Sequence, residues 1–268
     1  MRPVLGPATG DALHVMSYNL RYPADDPGHQ WTDRRPAMAT LLGLERPTVI
    51  GTQEGYYRQL RDLASDLGPE YQWLGVGRAG GSRGEFTAVF YDATRLDPME
   101  YVDLWLSDTP ALIGSATWGN TIPRMATWVR FADTWTGREF VVLNTHFDHR
   151  SENARRRSAD LLTATVESFA DIPTIVTGDF NTPAERSPTY ARLVSGTALE
   201  DTWHTAGQRL TEEYATYGGY RQPVTGDRID WLLATPGIRT AAAAVNPTAV
   251  GGRFPSDHLP VQAHLQLP

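Results

Sequence analysis

Short apolar runs that end in a residue able to bind a metal or move a proton recur along this chain. Leu13 to Tyr18 precedes Asn19, Thr48 to Thr52 precedes Glu54, and Phe140 to Leu143 precedes His146. Thr174 to Thr177 precedes Asp179 and Asn181, Ile229 to Leu233 contains Asp230, and Phe254 to Ser256 leads into Asp257, His258 and the run Leu259 to Leu265. Most runs are short and rich in Val, Ile and aromatics, which is the pattern of strands rather than helices. Loops at strand ends are where a rigid sheet holds side chains from distant positions together. The recurrence therefore predicts one composite site.

With 268 residues, 41% of them hydrophobic, the chain is long enough for a substantial core and reads as a single α/β domain over 1–268. Residues 1–11 are expected to be a flexible segment. They show neither the basic region nor the apolar stretch of a secretory signal, so a cytoplasmic location is expected, although a trimmed secreted form would read the same way. No apolar stretch approaches a membrane span. The sequence contains no cysteine, which leaves carboxylate, amide and imidazole as ligands for any metal. All 24 basic residues are arginine, excluding a Schiff base, a Walker-type lysine and a lysine general base. A formal net charge of -7 disfavours a duplex-coating protein, because nonspecific binding to polyanions needs a basic surface.

Helices are expected from Thr32 or Asp33 to about Glu45, from Tyr56 to Leu67, and from about Ser151 to Phe169. Further strands are expected at Gln72 to Val76, Phe86 to Tyr91 and Met125 to Phe131. Several successive strands read as hairpin-connected, so two packed mixed sheets with helices outside fit better than a doubly wound parallel sheet. The Gly-rich segment Gly77 to Glu85 lacks a Walker or Rossmann pattern and reads as a hairpin connection. Tyr214 to Arg228 reads as a long loop and a candidate substrate rim.

Asp179 and Asn181 fall on one side of an extended chain, so a carboxylate and an amide would face one point. Such a carboxylate can deprotonate water while the amide donates to a phosphoryl oxygen; the same residues are also ordinary turn chemistry. Asp257 beside His258 offers one metal ligand and one proton-bearing donor, or else a polar surface turn. Asp230 lies in an apolar strand and requires a partner there, for which His258 is suited. Glu54 can ligate a hard cation or begin a helix. Asn19 can ligate or bond neighbouring carboxylates. His146 is a catalytic candidate, whereas Asp148 and His149 support it or only decorate a strand end. Oxygen-rich ligation by Glu54, Asp179 and Asp257 suits Mg²⁺ or Mn²⁺ better than zinc.

The ordered set Met16-Ser17-Tyr18-Asn19, Gly51-Thr52-Gln53-Glu54, Asn144-Thr145-His146, Gly178-Asp179-Phe180-Asn181, Arg228-Ile229-Asp230 and Ser256-Asp257-His258 resembles the endonuclease/exonuclease/phosphatase superfamily, with its DNase I-like fold. The extended Asn144-Thr145-His146-Phe147-Asp148-His149 signature is similar to that of a bacterial branch related to deadenylase-like members. The resemblance implies a four-layer sandwich of two mixed sheets flanked by helices, with metal-assisted attack of water on a phosphoester. It implies that Glu54 and Asp257, with Asn19 nearby, hold one or two ions. It further implies that Asp179 activates water, that Asn181 and His146 stabilise charge, and that the Asp230–His258 pair acts on the scissile phosphate. Arg124, Arg34 and Arg35 are additional phosphate-binding candidates. Trp118, Trp203 and Tyr217 line a pocket or fill core.

These residues lead to a Mg²⁺-dependent phosphodiesterase or phosphatase acting on a small or single-stranded phosphate ester. A sequence-independent nuclease is the alternative, and an inactive binding module of the same fold would require the loss of an essential group. Oligomeric state leaves no trace in the sequence.

Overall fold

In the computed structural model, residues 1–195 and 199–268 are described. In chain order, the first half contains β1 (Leu13–Asn19), α1 (Trp31–Glu45), β2 (Val49–Gln53), β3 (Gly55–Tyr56), α2 (Tyr57–Leu67), β4 (Tyr71–Leu74), β5 (Glu85–Phe86), β6 (Val89–Asp92) and β7 (Leu96–Trp105). The second contains β8 (Met125–Asp133), β9 (Glu139–His146), α3 (Glu152–Ser168), β10 (Thr174–Asp179), α4 (Pro188–Val194), β11 (Glu200–Asp201), α5 (Thr202–Thr205), β12 (Gln208–Arg209), β13 (Asp230–Ala234), β14 (Arg239–Val245) and β15 (Val261–Gln266).

One sheet has the order β12-β14-β15-β1-β2-β6-β4 and the other β11-β13-β10-β9-β8-β7. Each holds a parallel pair near its centre, β1 with β2 and β9 with β10. Parallel neighbours need a crossover, and α1 and α3 supply the two crossovers. Both β-α-β units therefore bring the carboxyl ends of their strands to the same end of the molecule, where open α/β sheets bind ligands.

Three apolar cores separate four layers. Leu13, Val15, Phe140, Val142, Ile175 and Leu232 pack between the sheets. Met16, Tyr18, Leu41, Leu60 and Phe90 lie under α1 and α2, and Leu143, Val176, Trp231, Leu162 and Val166 lie under α3. Strand alternation then places Asn19, His146, Asp179 and Asp230 on the same inner faces as the first set. The space between the sheets thus runs from apolar, through a polar band, to ionisable.

Asn144 bolts that polar band together. Its Oδ1 accepts from Gln53 Nε2 at 2.7 Å and Thr177 Oγ1 at 3.0 Å, and its Nδ2 donates to the Thr52 and Ala88 carbonyls at 2.8 and 3.0 Å. The sheets come close because Gly51 has no side chain: a Cβ there would meet Thr177 Oγ1 at 2.0 Å. Gly51→Ala should therefore cost about 1–3 kcal/mol as overpacking does, read as a lower urea midpoint; an unchanged midpoint would show that the sheets can separate freely.

Several expectations are revised. Helix α1 starts at Trp31 and its first turn has no side-chain cap from Gln30, because the Trp31 indole anchors it instead, donating to Asp62 at 2.8 Å. Strand β7 escapes the alternation rule since residues 97–102 are exposed on a sheet edge. The segment 1–11, expected to be flexible, contains no strand or helix, yet it is tied down. The buried Glu45 carboxylate accepts the backbone N–H groups of Val4, Leu5 and Gly6 at 2.7, 3.1 and 2.9 Å. Three successive amides form an anion-holding nest, and the partner here is a side chain of the same protein.

Candidate active site

The carboxyl ends of β1, β2, β9 and β10 open into a pocket of about 480 Å³. Asn19, at the end of β1, donates through Nδ2 to Glu54 Oε1 at 3.1 Å and to Asp179 Oδ2 at 2.9 Å. Its Oδ1 accepts the Arg21 N–H at 2.9 Å. Asn19 is thus a clip between two acids, the second of the two roles its sequence position allows. Glu54 follows β2 in the left-handed region, φ 62°, and its Oε2 accepts the Tyr22 N–H at 3.0 Å. Asn181 is also left-handed, φ 52°, so the extended chain assumed for Asp179 and Asn181 is replaced by a turn in which the Asn181 N–H donates to Asp179 Oδ1 at 2.9 Å. Non-glycine residues adopt this conformation at an energetic cost, and such outliers cluster where side chains must be aimed.

Ligand-capable atoms of Glu54, His146 and Asp179 lie within 4.8 Å of one another, and so do those of Asp179, Asp230 and His258. Asp257 lines the same pocket but belongs to neither close group; Arg21 Nε faces its Oδ2 at 3.5 Å. Burial, and then the Asp230 carboxylate, raise Asp179 to about 7. Burial likewise raises Asp257, reinforced by Glu54 and opposed by His258 and Arg21. Asp230 Oδ1 is buried without a partner among the described residues. Crowded, desolvated carboxylates of this kind are what a hard divalent cation relieves, and the donor set fits one.

The proton-bearing groups stand among these acids. His258 Nδ1 meets Asp230 Oδ2 at 2.8 Å, and its Nε2 lies 3.8 Å from Asp179 Oδ2. Burial would depress this imidazole, but Asp230 and then Asp179 outweigh it and hold His258 well above the usual histidine range. His146 is the opposite case. Burial and then Arg124 hold it well below that range, with Arg124 Nη1 at 3.0 Å from its Nε2 and Asn181 Nδ2 also at 3.0 Å. Two histidines in one pocket are pushed in opposite directions, His146 down by burial and Arg124, and His258 up by the carboxylates beside it. Arg124 Nη2 also reaches His149 Nδ1 at 2.8 Å.

Some sequence candidates do not reach the pocket. Arg34 is buried and donates to the carbonyls of Leu20, Arg21, His29 and Pro255, so it braces the chain beside Asn19 and Asp257 instead of meeting substrate. Arg35 pairs with Asp62 and Asp66 on α2. Trp118 is buried with its indole bonded to Asp108 at 2.8 Å, and Trp203 fills the inter-sheet core. Asp148 is buried behind Arg124, at 3.7 Å, and accepts the Arg150 and Ser151 N–H groups. Conversely, Arg21, Tyr22, Arg78 and Glu85 line the pocket without having been singled out. Arg78 and Glu85 bound the Gly-rich segment, whose lack of a phosphate-loop pattern drew attention away from them. Tyr217, on the expected rim, does line the pocket.

Residues 16–258 match the model of the Endonuclease/Exonuclease/phosphatase family. The chain belongs to this family. Members of the endonuclease/exonuclease/phosphatase family hydrolyse phosphoesters. A family protein from Bacteroides thetaiotaomicron is 32% identical, with a TM-score of 0.90 over 96% of this chain and 98% of that one. A mannosyl-6-phosphatase from Bacteroides thetaiotaomicron VPI-5482 is also 32% identical, with a TM-score of 0.88 over 94% of this chain and 99% of that one. The human Nocturnin catalytic domain with bound sulfate is 18% identical, with a TM-score of 0.75 over 96% of this chain and 94% of that one, a likeness of fold. Among curated proteins no sequence matches significantly. The two mixed sheets and their flanking helices are the DNase I-like arrangement of these neighbours. Among the described residues, no helix is long and apolar enough to cross a membrane.

Proposed function

We propose that this protein is a divalent-metal-dependent phosphoric ester hydrolase acting on small phosphate monoesters, with sugar phosphates as the leading class. The observation that carries this is the pocket itself: Glu54, Asp179 and Asp257 stand beside His258 and Arg124 in about 480 Å³, with ligand-capable atoms of Asp179, Asp230 and His258 within 4.8 Å of one another. Such a volume is in the range of about 300–1,000 Å³ that suits small ligands. The likeness to a mannosyl-6-phosphatase over nearly the whole of both chains supports it, as does the net charge of -7, which repels a polyanion.

In this reading Glu54 and Asp257 hold the cation, Mg²⁺ or Mn²⁺, beside Asp179. When bound, it supplies positive charge to the phosphoryl and leaving oxygens. Asp179 takes a proton from the attacking water, a task for which a carboxyl near neutrality is matched. His258, held cationic by Asp230, donates to a phosphoryl oxygen. Arg124 adds a donor, and His146, kept neutral, accepts from Arg124 and Asn181 and so positions both without repelling the cation.

The test is a panel of hexose 6-phosphates, phenyl phosphate, a bis-aryl phosphate diester, and single-stranded and duplex DNA and RNA, each with Mg²⁺, Mn²⁺ or EDTA. Phosphate release from the monoesters should disappear in EDTA and return with Mg²⁺ or Mn²⁺. Polynucleotide cleavage outpacing every monoester would overturn this function in favour of a nuclease, and activity that survives EDTA would remove the metal.

A further inference from the structure

We infer that Arg78 and Glu85, on the pocket wall beside Arg124 and His146, form a fork that hydrogen-bonds hydroxyls of the group esterified to phosphate. The substrates it fits are phosphate monoesters of polyhydroxylated alcohols. This rests on the hydrolase function proposed above and names what that site selects.

Both residues line the pocket wall, and Arg78 Nη1 donates to Glu85 Oε2 at 2.7 Å with the side chains 20% and 14% exposed. Among the described residues, Glu85 Oε1 and Arg78 Nη2 have no second protein partner, which leaves one acceptor and one donor side by side. The segment bearing them is rigidly built. Trp105 Nε1 donates to the Arg78 carbonyl at 2.8 Å, and Val76 N–H donates to Asp103 Oδ1 at 3.3 Å, so both attachments run to β7. A Cβ on Gly77 would meet the Arg83 carbonyl at 2.1 Å, so the turn closes tightly only because residue 77 is glycine.

The charge of Glu85 decides what the fork can take. A carboxylate on a pocket wall repels phosphoryl oxygens, and Glu85 is in neither close metal-ligand group. Its ion pair with Arg78 also offsets the charge that would make Arg78 a simple phosphate anchor. A carboxylate paired with a guanidinium instead complements neutral hydroxyls, which donate to the first and accept from the second. A site built to hydrogen-bond hydroxyls discriminates strongly against an ester that lacks them, because its own polar groups are then left unpaired.

The experiment compares kcat/KM for a hexose 6-phosphate with that for phenyl phosphate, which has no hydroxyls, in the wild type, Glu85→Ala and Arg78→Met. The hexose-to-phenyl ratio should fall at least about tenfold in each variant, mainly through KM of the hexose ester. Glu85→Leu, which is close in size and offers no acceptor, gives the same comparison should the alanine variant not fold. An unchanged ratio, or equal losses on both esters, overturns the inference. A wild type that prefers phenyl phosphate overturns it while leaving the hydrolase function standing; a wild type that hydrolyses neither ester with Mg²⁺ or Mn²⁺ overturns both.

Discussion

Asp179→Asn should lower kcat by about 10²–10⁴, the usual contribution of a positioned general base, while the protein keeps its fold. The amide preserves the size of the side chain and can still accept the Asn181 N–H through its oxygen. It cannot take a proton from water. The pH profile makes the prediction sharper. Burial, and then Asp230, raise Asp179 to about 7, and the ionised form is the active one. The wild-type rate should therefore rise with pH, reach half its maximum near that value and level off above it, with the midpoint lower once a cation beside the carboxylate favours its charged form. In the variant this acid limb should vanish from whatever activity remains. Single-turnover kinetics over pH 5–9 would check both points, and a variant with wild-type turnover would remove Asp179 from the mechanism.

His258→Ala should cost about 10²–10³ in kcat, the scale of losing one aimed donor in a desolvated site. Asp230→Asn tests how His258 carries its charge. Burial alone would drive this imidazole toward neutrality, and the carboxylates of Asp230 and Asp179 reverse that. Without the Asp230 charge, the His258 pKa should fall, and the protonated form should be lost as pH rises through the new value. Asp230→Asn should thus bring an alkaline decline down toward neutral pH, where the wild type still holds its proton. Proton NMR titration of the His258 ring reads the same shift without turnover; an unmoved titration would show that Asp230 only packs against the ring.

The sequence carried the strand ends well, because their signal is local. A short β-branched run stopping at Asn19, Glu54, His146 or Asp179 is visible residue by residue, and alternation assigns each strand residue to a face. Strand β7 was missed because an edge strand exposes most of its side chains, and so the alternation that marks a half-buried strand is absent. The attachment of the opening segment was illegible for a related reason. Its anchor, Glu45, is distant in sequence, and nothing in residues 4–6 announces that their N–H groups have an acceptor.

At the site the division is similar. The residues Glu54, Asp179, Asp257 and His258, and the partnership of Asp230 with His258, were legible from residue type, spacing and the cost of burying a lone carboxylate. Arg34 read as a phosphate ligand because an arginine is equally suited to four carbonyls or to a phosphate, and only packing shows which it meets. Arg78 and Glu85 lie on a segment with no motif. The sequence by itself determined the order of the motifs, the α/β class and the acidic, thiol-free donor set, all properties of residue types along one chain. Tertiary structure alone decided which arginines face the pocket, which histidine keeps its proton, and that Asn19 joins two acids. Those outcomes depend on distances and on exclusion of water, which exist only after the two sheets have closed on each other.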